Sequence, residues 1–526
     1  MMAAAAAEAV GATRLYVCPA RDQLFLMPVS MRDWLDEGHL AFFVLDVVGE
    51  LDTSALHRRP GGCPGRPPYE PEMMLGLLLY AYCCGIRSSR RIEAHCRTDA
   101  AFRVICGGLV PDHATLARFV VEHERALEGL FVEGVRLCAA AGLADLSVVA
   151  LDGTKIAADA SLARNRGADW IRREITELMA LTAEDQPLAA LELDGLAGIE
   201  PALEISTATG RLARLRAALE VIGAEDAAVA ETAARQIQAA LAQAEHGRHQ
   251  IGRKPKEPQA ALARAELDHT VARERVENLQ AERERRAAAA AREEKTAAPR
   301  LRIDKAQGAL ERAAVRLAAA REAVQAAPET DRRTNITDPD SRIMSTKDGW
   351  VQGYNAQAIV NPKQIVLACE VSQDAADIGL FEPMNEKLTH TLTAAGITDQ
   401  VALELADAGY CSEHNLTCPG PDRLIATTKD WKQRRAARQL GQTNGPAPNG
   451  TPTEEMEHLL RTPQGTAAYA QRSYLIEPVF GDHKHNRGLR RFRRRGLNAV
   501  RSEWAFIHLA SNLQKLREHR LMTATA

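Results

Sequence analysis

The chain has 526 residues, 46% of them hydrophobic, and a formal net charge of −3 at neutral pH. Its length suggests about three modules. Its longest apolar run, Met73 to Cys84 around GLLLYAY, falls short of the roughly 20 residues that cross a bilayer, so no membrane span is expected.

The start, MMAAAAAEAVGATR, has no basic region ahead of a Leu-rich one and does not read as a secretory signal, which points to the cytoplasm. From about Tyr69 to Leu130 the sequence reads as short helices: the apolar run, SSRRIEAHC, AAFRVICGG, and HATLARFVVEHERAL after a Pro-Asp start. Two readings stay open. One is a helix-turn-helix that offers Arg87, Arg90, Arg91, Arg97 and Arg118 to phosphates; the other is a packing or dimerisation module with solvated arginines. From Leu146, LSVVALDGTKI reads as a strand ending at Asp152 and Gly153. An Ala/Glu/Arg/Leu/Gln-rich stretch, about Asp169 to Ala327, then interrupts the pattern. Pro255, Pro258 and Pro299 divide it into several long antiparallel helices, read as a spacer or dimer contact, with direct DNA contact by its arginines as the alternative. After it, QGYNAQAIV and QIVLACEVSQ read as a hairpin, FEPMNEKLTHTLTAAG as a helix, and QVALELADAGY as a strand. A short helix near Ser412 to Leu416 and a last strand in DRLIATTKD follow, which together suit a mixed α/β sheet. The stretch from about Trp431 to Gln464, with QLGQTNGPAPNGTPTEE, reads as a loop. The ten cysteines are irregularly spaced without a CxxC pair and read as free thiols in a reducing compartment.

Phosphoryl transfer between DNA strands is served by two divalent ions roughly 3.5 to 4 Å apart, held by carboxylates. Asp152 (VVALDGTK) and Asp407 (LELADAGY) each follow an apolar, buried-looking strand and lie beside a Gly that relaxes the chain. One such Asp is more often a turn residue, but two in matching positions favour a ligand pair. Glu477, in YAQRSYLIEPVFGDHKHNRG, is the third carboxylate, with Lys484 about two helical turns further on. Pro478 places Glu477 at a helix start or kink. Beyond lies a basic tract, Lys484, Arg487, Arg490, Arg491, Arg493, Arg494, Arg495 and Arg501, read as phosphate contacts in preference to a solvated face. The closing segment LNAVRSEWAFIHLASNLQKL reads as an amphipathic helix that packs Trp504, Phe506, Leu509 and Leu513 on the sheet.

Taken together, ALDGTKIAADAS, TDPDSRIMSTKDGWVQGYNAQAIV, LADAGYCSEHNL and IEPVFGDHK resemble the bacterial insertion-sequence DDE transposases, from about Val29 to Lys515 without the helical insertion. The resemblance implies a ribonuclease-H-like catalytic core and an N-terminal helical transposase domain. It implies that Asp152, Asp407 and Glu477 hold Mg2+ or Mn2+, two ions being expected, and that a homodimer or higher homo-oligomer acts on terminal inverted repeats and target DNA. Related enzymes carry a Tyr, Arg, Glu, Lys signature in which Tyr469, Arg472 and Lys484 match in type. Arg472, however, lies five residues before Glu477, which on a regular helix turns it roughly 140° away. Tyr469 and Arg472 are read as accessory; Asp338, Asp340, Lys347 and Tyr354 either approach the site or DNA or belong to an ordinary turn, and are not read as catalytic.

The expected architecture is α/β: a ribonuclease-H-like mixed sheet core with an N-terminal helical DNA-binding module and a long coiled-coil-like insertion. Its expected segments are a tail (1–28), the helical module (29–140), the first part of the core (141–168), the insertion (169–330), the second part of the core (331–430), a flexible loop (431–464) and the C-terminal part of the core (465–526). The expected activity is metal-dependent cleavage and strand transfer at terminal inverted repeats, in a cytoplasmic, nucleoid-associated protein. A metal-dependent nuclease without joining activity and an inactive DNA-binding remnant are the alternatives.

Overall fold

Two units are distinguished in the computed structural model, which describes residues 30–57, 68–185, 208–245, 258–293, 301–326, 332–427 and 450–525. The N-terminal tail, Cys18, Cys63 and the first part of the expected loop, 431–449, lie outside the described residues.

The first unit takes in residues up to Tyr82 together with Ile86–Leu116. The apolar run becomes helix α2 (Pro71–Cys83), following α1 (Leu40–Glu50). Because α2 is apolar on all sides from Met73 to Ala81, it is buried on all sides, and at Gly76 it faces Leu45 and Val48 of α1. Helices α3 (Ser89–Thr98) and α4 (Ala100–Ile105) are joined by Asp99 alone, whose carboxylate caps α4 by accepting from the amides of Ala101 (2.8 Å) and Phe102 (3.3 Å). That junction is shorter than the roughly three- to four-residue turn of a helix-turn-helix. Arg90, Arg91 and Arg97 of α3 are exposed.

The second unit takes in Cys83–Gly85 and Ala117–Ala526. Helix α5 (His113–Glu122) ends in it, and α6 (Glu124–Ala140) lies in it entirely. The reason is the apolar face of α6, Leu127, Leu130, Phe131, Val135 and Cys138, which packs on the long final helix. The sheet is centred on β1 (Val149–Ala157), followed in the chain by β2 (Asn165–Gly167), β3 (Arg333–Asn335), β4 (Arg342–Thr346), β5 (Gly349–Val360), β6 (Val366–Ser372), β7 (Leu403–Ala406) and β8 (Asp422–Ile425). On one side β1 pairs antiparallel with β5, whose far edge takes β4 and β6; on the other it pairs parallel with β7, and β7 with β8. β2 and β3 form a separate two-stranded ladder.

Between β2 and β3 run α7 (Ala168–Asp185), α8 (Ala208–Glu245), α9 (Pro258–Glu293) and α10 (Leu301–Ala326). Ion pairs Arg321 to Glu266 (3.5 Å) and Arg316 to Asp268 (4.0 Å) run in the antiparallel sense between α10 and α9, as the prolines predict. The remaining helices are α11 (Phe381–Ala394), α12 (Glu413–Thr417), α13 (Pro452–Arg461), α14 (Pro463–Gly481) and α15 (Leu497–Thr525). Helix α13 occupies part of the stretch read as a loop. Thr451 and Glu454 form a capping box and Pro452 sits in the first turn, a start signal hidden by the surrounding Gly and Pro. Helix α15 is fixed to the sheet by Trp504, whose Nε1 donates to the Gln357 carbonyl (2.9 Å), and by Asn512. The Asn512 side chain accepts from the Val366 amide (2.9 Å) and donates to the Val366 carbonyl (2.8 Å). Phe506, Leu509 and Leu513 are buried with Trp504. No described helix is long and apolar enough to cross a membrane.

Candidate active site

The expected strand end at Asp152 is overturned by the ladder: β1 continues to Ala157, with Asp152 opposite Ala358 and Gly153 opposite Gln357. Asp152 is therefore no turn residue but a carboxylate inside a central strand. In the parallel ladder Leu151 lies beside Ala406, so Asp407, the next residue on β7's side, emerges next to Asp152. Asp407 caps the turn Ala408–Tyr410 by accepting from the Gly409 amide at 2.7 Å.

Arg472 of α14 joins the two acids. Its guanidinium stands 3.0 Å from Asp152 Oδ2 and 3.9 Å from Asp407 Oδ2. Burial pushes the Asp152 carboxyl up to about 6; Arg472 opposes that rise, and Asp407 and Asp377 add to it. A site that holds a carboxylate in such a negative surround has capacity for more positive charge than one guanidinium supplies.

Glu477 lies on α14, exposed, five residues beyond Arg472. The helix runs through Pro478, so Glu477 is mid-helix rather than at a helix start. Leu475, Ile476, Val479 and Phe480 are buried on either side and hold this turn in place, and the proline is followed by a π-helical turn, Asp482–Asn486. Glu477 acts electrostatically on the Arg472 guanidinium, as do Asp152 and Asp407. Lys484, in the π turn, donates to the Thr154 hydroxyl, two residues along β1 from Asp152, and burial lowers its pKa. Tyr469 donates to the Ala406 carbonyl at 3.2 Å, beside Asp407. Tyr469, Arg472 and Lys484 thus all meet the strands that carry the acids.

The basic tract divides. Arg487 pairs with Asp482 (2.6 Å), Arg494 with Glu124, and Arg495 with Asp159 (2.7 Å). Arg490, Arg491 and Arg493 are exposed. The tract itself is stitched to the end of β1, where the Phe492 amide donates to the Ala157 carbonyl at 2.8 Å. Asp338 is buried, accepting from the Tyr354 hydroxyl (2.8 and 2.9 Å) and the Gly496 amide (3.1 Å), so Asp338 and Tyr354 brace the sheet away from Asp152.

For a divalent ion, Asp152 in β1 and Asp407 just beyond the adjacent β7 offer hard oxygen donors, already sharing one cation in Arg472, and the donor set fits. Among the described residues no three acidic, imidazole or thiol groups stand close enough together to ligate one ion. Sequence reasoning missed Asp377, in QDAADIGL, whose charge reaches Asp152; only the fold brings it there.

Comparison with known proteins gives two family matches. Residues 29–122 match the family described as Transposase domain (DUF772), and residues 432–517 match Transposase DDE domain. The second match contains Tyr469, Arg472, Glu477, Lys484 and the basic tract, while Asp152 and Asp407 lie between the two. No curated protein and no solved structure matches the chain. A transposase domain over residues 29–122 and a DDE transposase domain over residues 432–517 together support an insertion-sequence DDE transposase.

Proposed function

We propose that the chain catalyses metal-dependent DNA cleavage and strand transfer at the terminal inverted repeats of its element, with a ribonuclease-H-like core as its catalytic domain. The observation that carries this reading is the placement of Asp152 within β1 and of Asp407 directly after the adjacent parallel strand β7, bridged by the guanidinium of Arg472. A central β1 flanked by antiparallel β5 and β6 on one side and parallel β7 and β8 on the other supports the fold assignment. Asp152, Asp407 and Glu477 are the groups that would hold Mg2+ or Mn2+. Bound there, two divalent ions supply activation of the attacking oxygen and charge neutralisation at the leaving oxygen.

The chain's own groups orient the DNA. Lys484, hydrogen-bonded to Thr154, presents its ammonium beside the acids, and Arg472 is free to exchange carboxylate partners for a phosphate as negative charge enters the site. Exposed Arg490, Arg491 and Arg493 extend the positive surface for phosphate contacts. The N-terminal helices bind DNA, and the chain acts as a homodimer or higher homo-oligomer on the two element ends.

The test is Mg2+- or Mn2+-dependent cleavage and joining of DNA carrying the element's own ends, with Asp152→Asn for comparison. The expected result is joined product from the wild type and none from the variant, with DNA binding retained. Cleavage without joining by the wild type would replace this reading with that of a nuclease, and binding with neither activity would indicate a silent remnant.

A further inference from the structure

Side chains alternate across a strand, so Gly153 and Lys155 face away from Asp152 and Thr154. On that opposite face lies a polar cluster centred on Asp377, whose charge also reaches Asp152. One oxygen of Asp377, Oδ1, accepts from three side chains: Lys155 Nζ (3.0 Å), Asn355 Nδ2 (2.7 Å) and Gln357 Nε2 (3.0 Å). Gln357 in turn accepts from the Tyr410 hydroxyl. Asn355, Gln357 and Tyr410 are all buried.

We propose that Asp377 is a positioning residue for the acidic site, fixing the turn that carries Asp407 against the strand that carries Asp152. This rests on the reading of those two acids given above. The parallel ladder between β1 and β7 ends at Leu151 and Ala406, one residue short of both acids. Beyond that point no strand pairing between β1 and β7 holds Asp407 to Asp152. The cluster takes over there, because Asp377 gathers donors from β1 and β5 and passes the restraint through Gln357 to Tyr410, three residues after Asp407.

Two glycines show how closely these parts fit. The space that a Cβ on Gly153 would need is filled by the Gln357 carboxamide, so Gln357 reaches Asp377 only because the residue after Asp152 has no side chain. A Cβ on Gly409 would lie 2.9 Å from Asp407 Oδ1 and 3.2 Å from Asp377 Oδ2. Asp377 Oδ2 therefore abuts the same turn that the network on Asp377 Oδ1 reaches, through Gln357, at Tyr410. Lys155 supplies the counter-charge that lets a carboxylate serve as a hub in this largely enclosed position.

The experiment compares full-length wild type, Asp377→Ala, Asp377→Asn and Tyr410→Phe by hydrogen exchange, and by Mn2+ titration without DNA. In Asp377→Ala and Tyr410→Phe, exchange of the 405–411 segment is expected to quicken at least tenfold while β6 and α15 exchange as in the wild type. Mn2+ affinity is expected to fall at least tenfold with duplex DNA affinity unchanged. Asp377→Asn, which keeps an acceptor oxygen, restores most of the protection. Exchange of 405–411 within twofold of wild type in both Asp377→Ala and Tyr410→Phe overturns the proposal. Should Asp377→Ala unfold globally, Tyr410→Phe decides, since it removes only one hydroxyl. A wild type that binds no Mn2+ would sink the metal reading of Asp152 and Asp407, while the exchange comparison would still decide the role of Asp377.

Discussion

The acid-bearing sheet and the four helices inserted between β2 and β3 hold their charges in opposite ways. Around the sheet, polar groups are buried and bonded to partners far away in the chain. Glu503 accepts from the amides of Arg493 (2.9 Å) and Arg494 (3.0 Å), Asp338 from Tyr354 and Gly496, and Asn512 clasps Val366. In the insertion, charges pair on the surface, either one helical turn apart, as Arg235 with Glu231 (3.5 Å) and Arg273 with Glu277 (3.7 Å), or between neighbouring helices, as Arg321 with Glu266 (3.5 Å). A buried polar group that loses its partner is costly, whereas an exposed pair exchanges protein for water at little net change. Single substitutions in the sheet region should therefore be felt throughout the second unit, and those in the insertion hardly at all.

The largest effect is expected at Glu503. Glu503→Ala strands two backbone amides at the turn that attaches the basic tract to α15, and should destabilise the second unit by about 3 kcal/mol. Thermal unfolding measures this; a loss below about 1 kcal/mol would mean that water replaces the carboxylate and that the contrast between the regions is overstated.

A smaller effect of opposite sign is expected at Asp152 in metal-free buffer. Its carboxyl titrates near 6 in the folded chain, above the ordinary value of about 3.9. A raised carboxyl pKa gives stability that is complete below about pH 4 and lost as pH rises through 6. Asp152→Asn escapes that loss, so its midpoint should exceed the wild type's at pH 8, by about 2 kcal/mol of stability, and converge with it near pH 4. A gain that did not vary with pH would contradict the electrostatic account. The predicted gain is the pattern of a site kept at some expense to stability.

The smallest effect belongs to the insertion. Arg273→Ala should change stability by less than about 0.5 kcal/mol, and less still at high salt. A larger loss would show that this face of α9 is not simply solvated, which would sharpen the case for its use as a contact surface between copies of the chain.

Much of this organisation is legible in the sequence because it is written in local patterns. The apolar run of α2, the hairpin of β5 and β6, the helix after it, the proline-divided insertion and the amphipathic face of α15 all follow from spacing and turn residues. What escapes is written across distance. The end of the first strand was misplaced because an Asp-Gly pair is a local turn signal, while the long antiparallel partner β5 carries β1 past it to Ala157. The capping box at Thr451 was obscured by its Gly- and Pro-rich surroundings. At the site, Asp152 and Asp407 are legible as acids that follow apolar runs. The division of the arginines into ion-paired and exposed members is not, since Glu124, Asp159 and Asp482 belong to other elements. Asp377 carries no local sign at all: its three donors lie in β1 and β5, and only the sheet register gathers them.

The most direct test of the central claim is a strand-transfer assay in Mn2+ on DNA bearing the element's ends, comparing wild type with Glu477→Gln. The account predicts joined products from the wild type and none from the variant at equal DNA occupancy. Full joining by Glu477→Gln would remove the third carboxylate from the site, and with it the reading of α14 as the helix that completes the acidic triad.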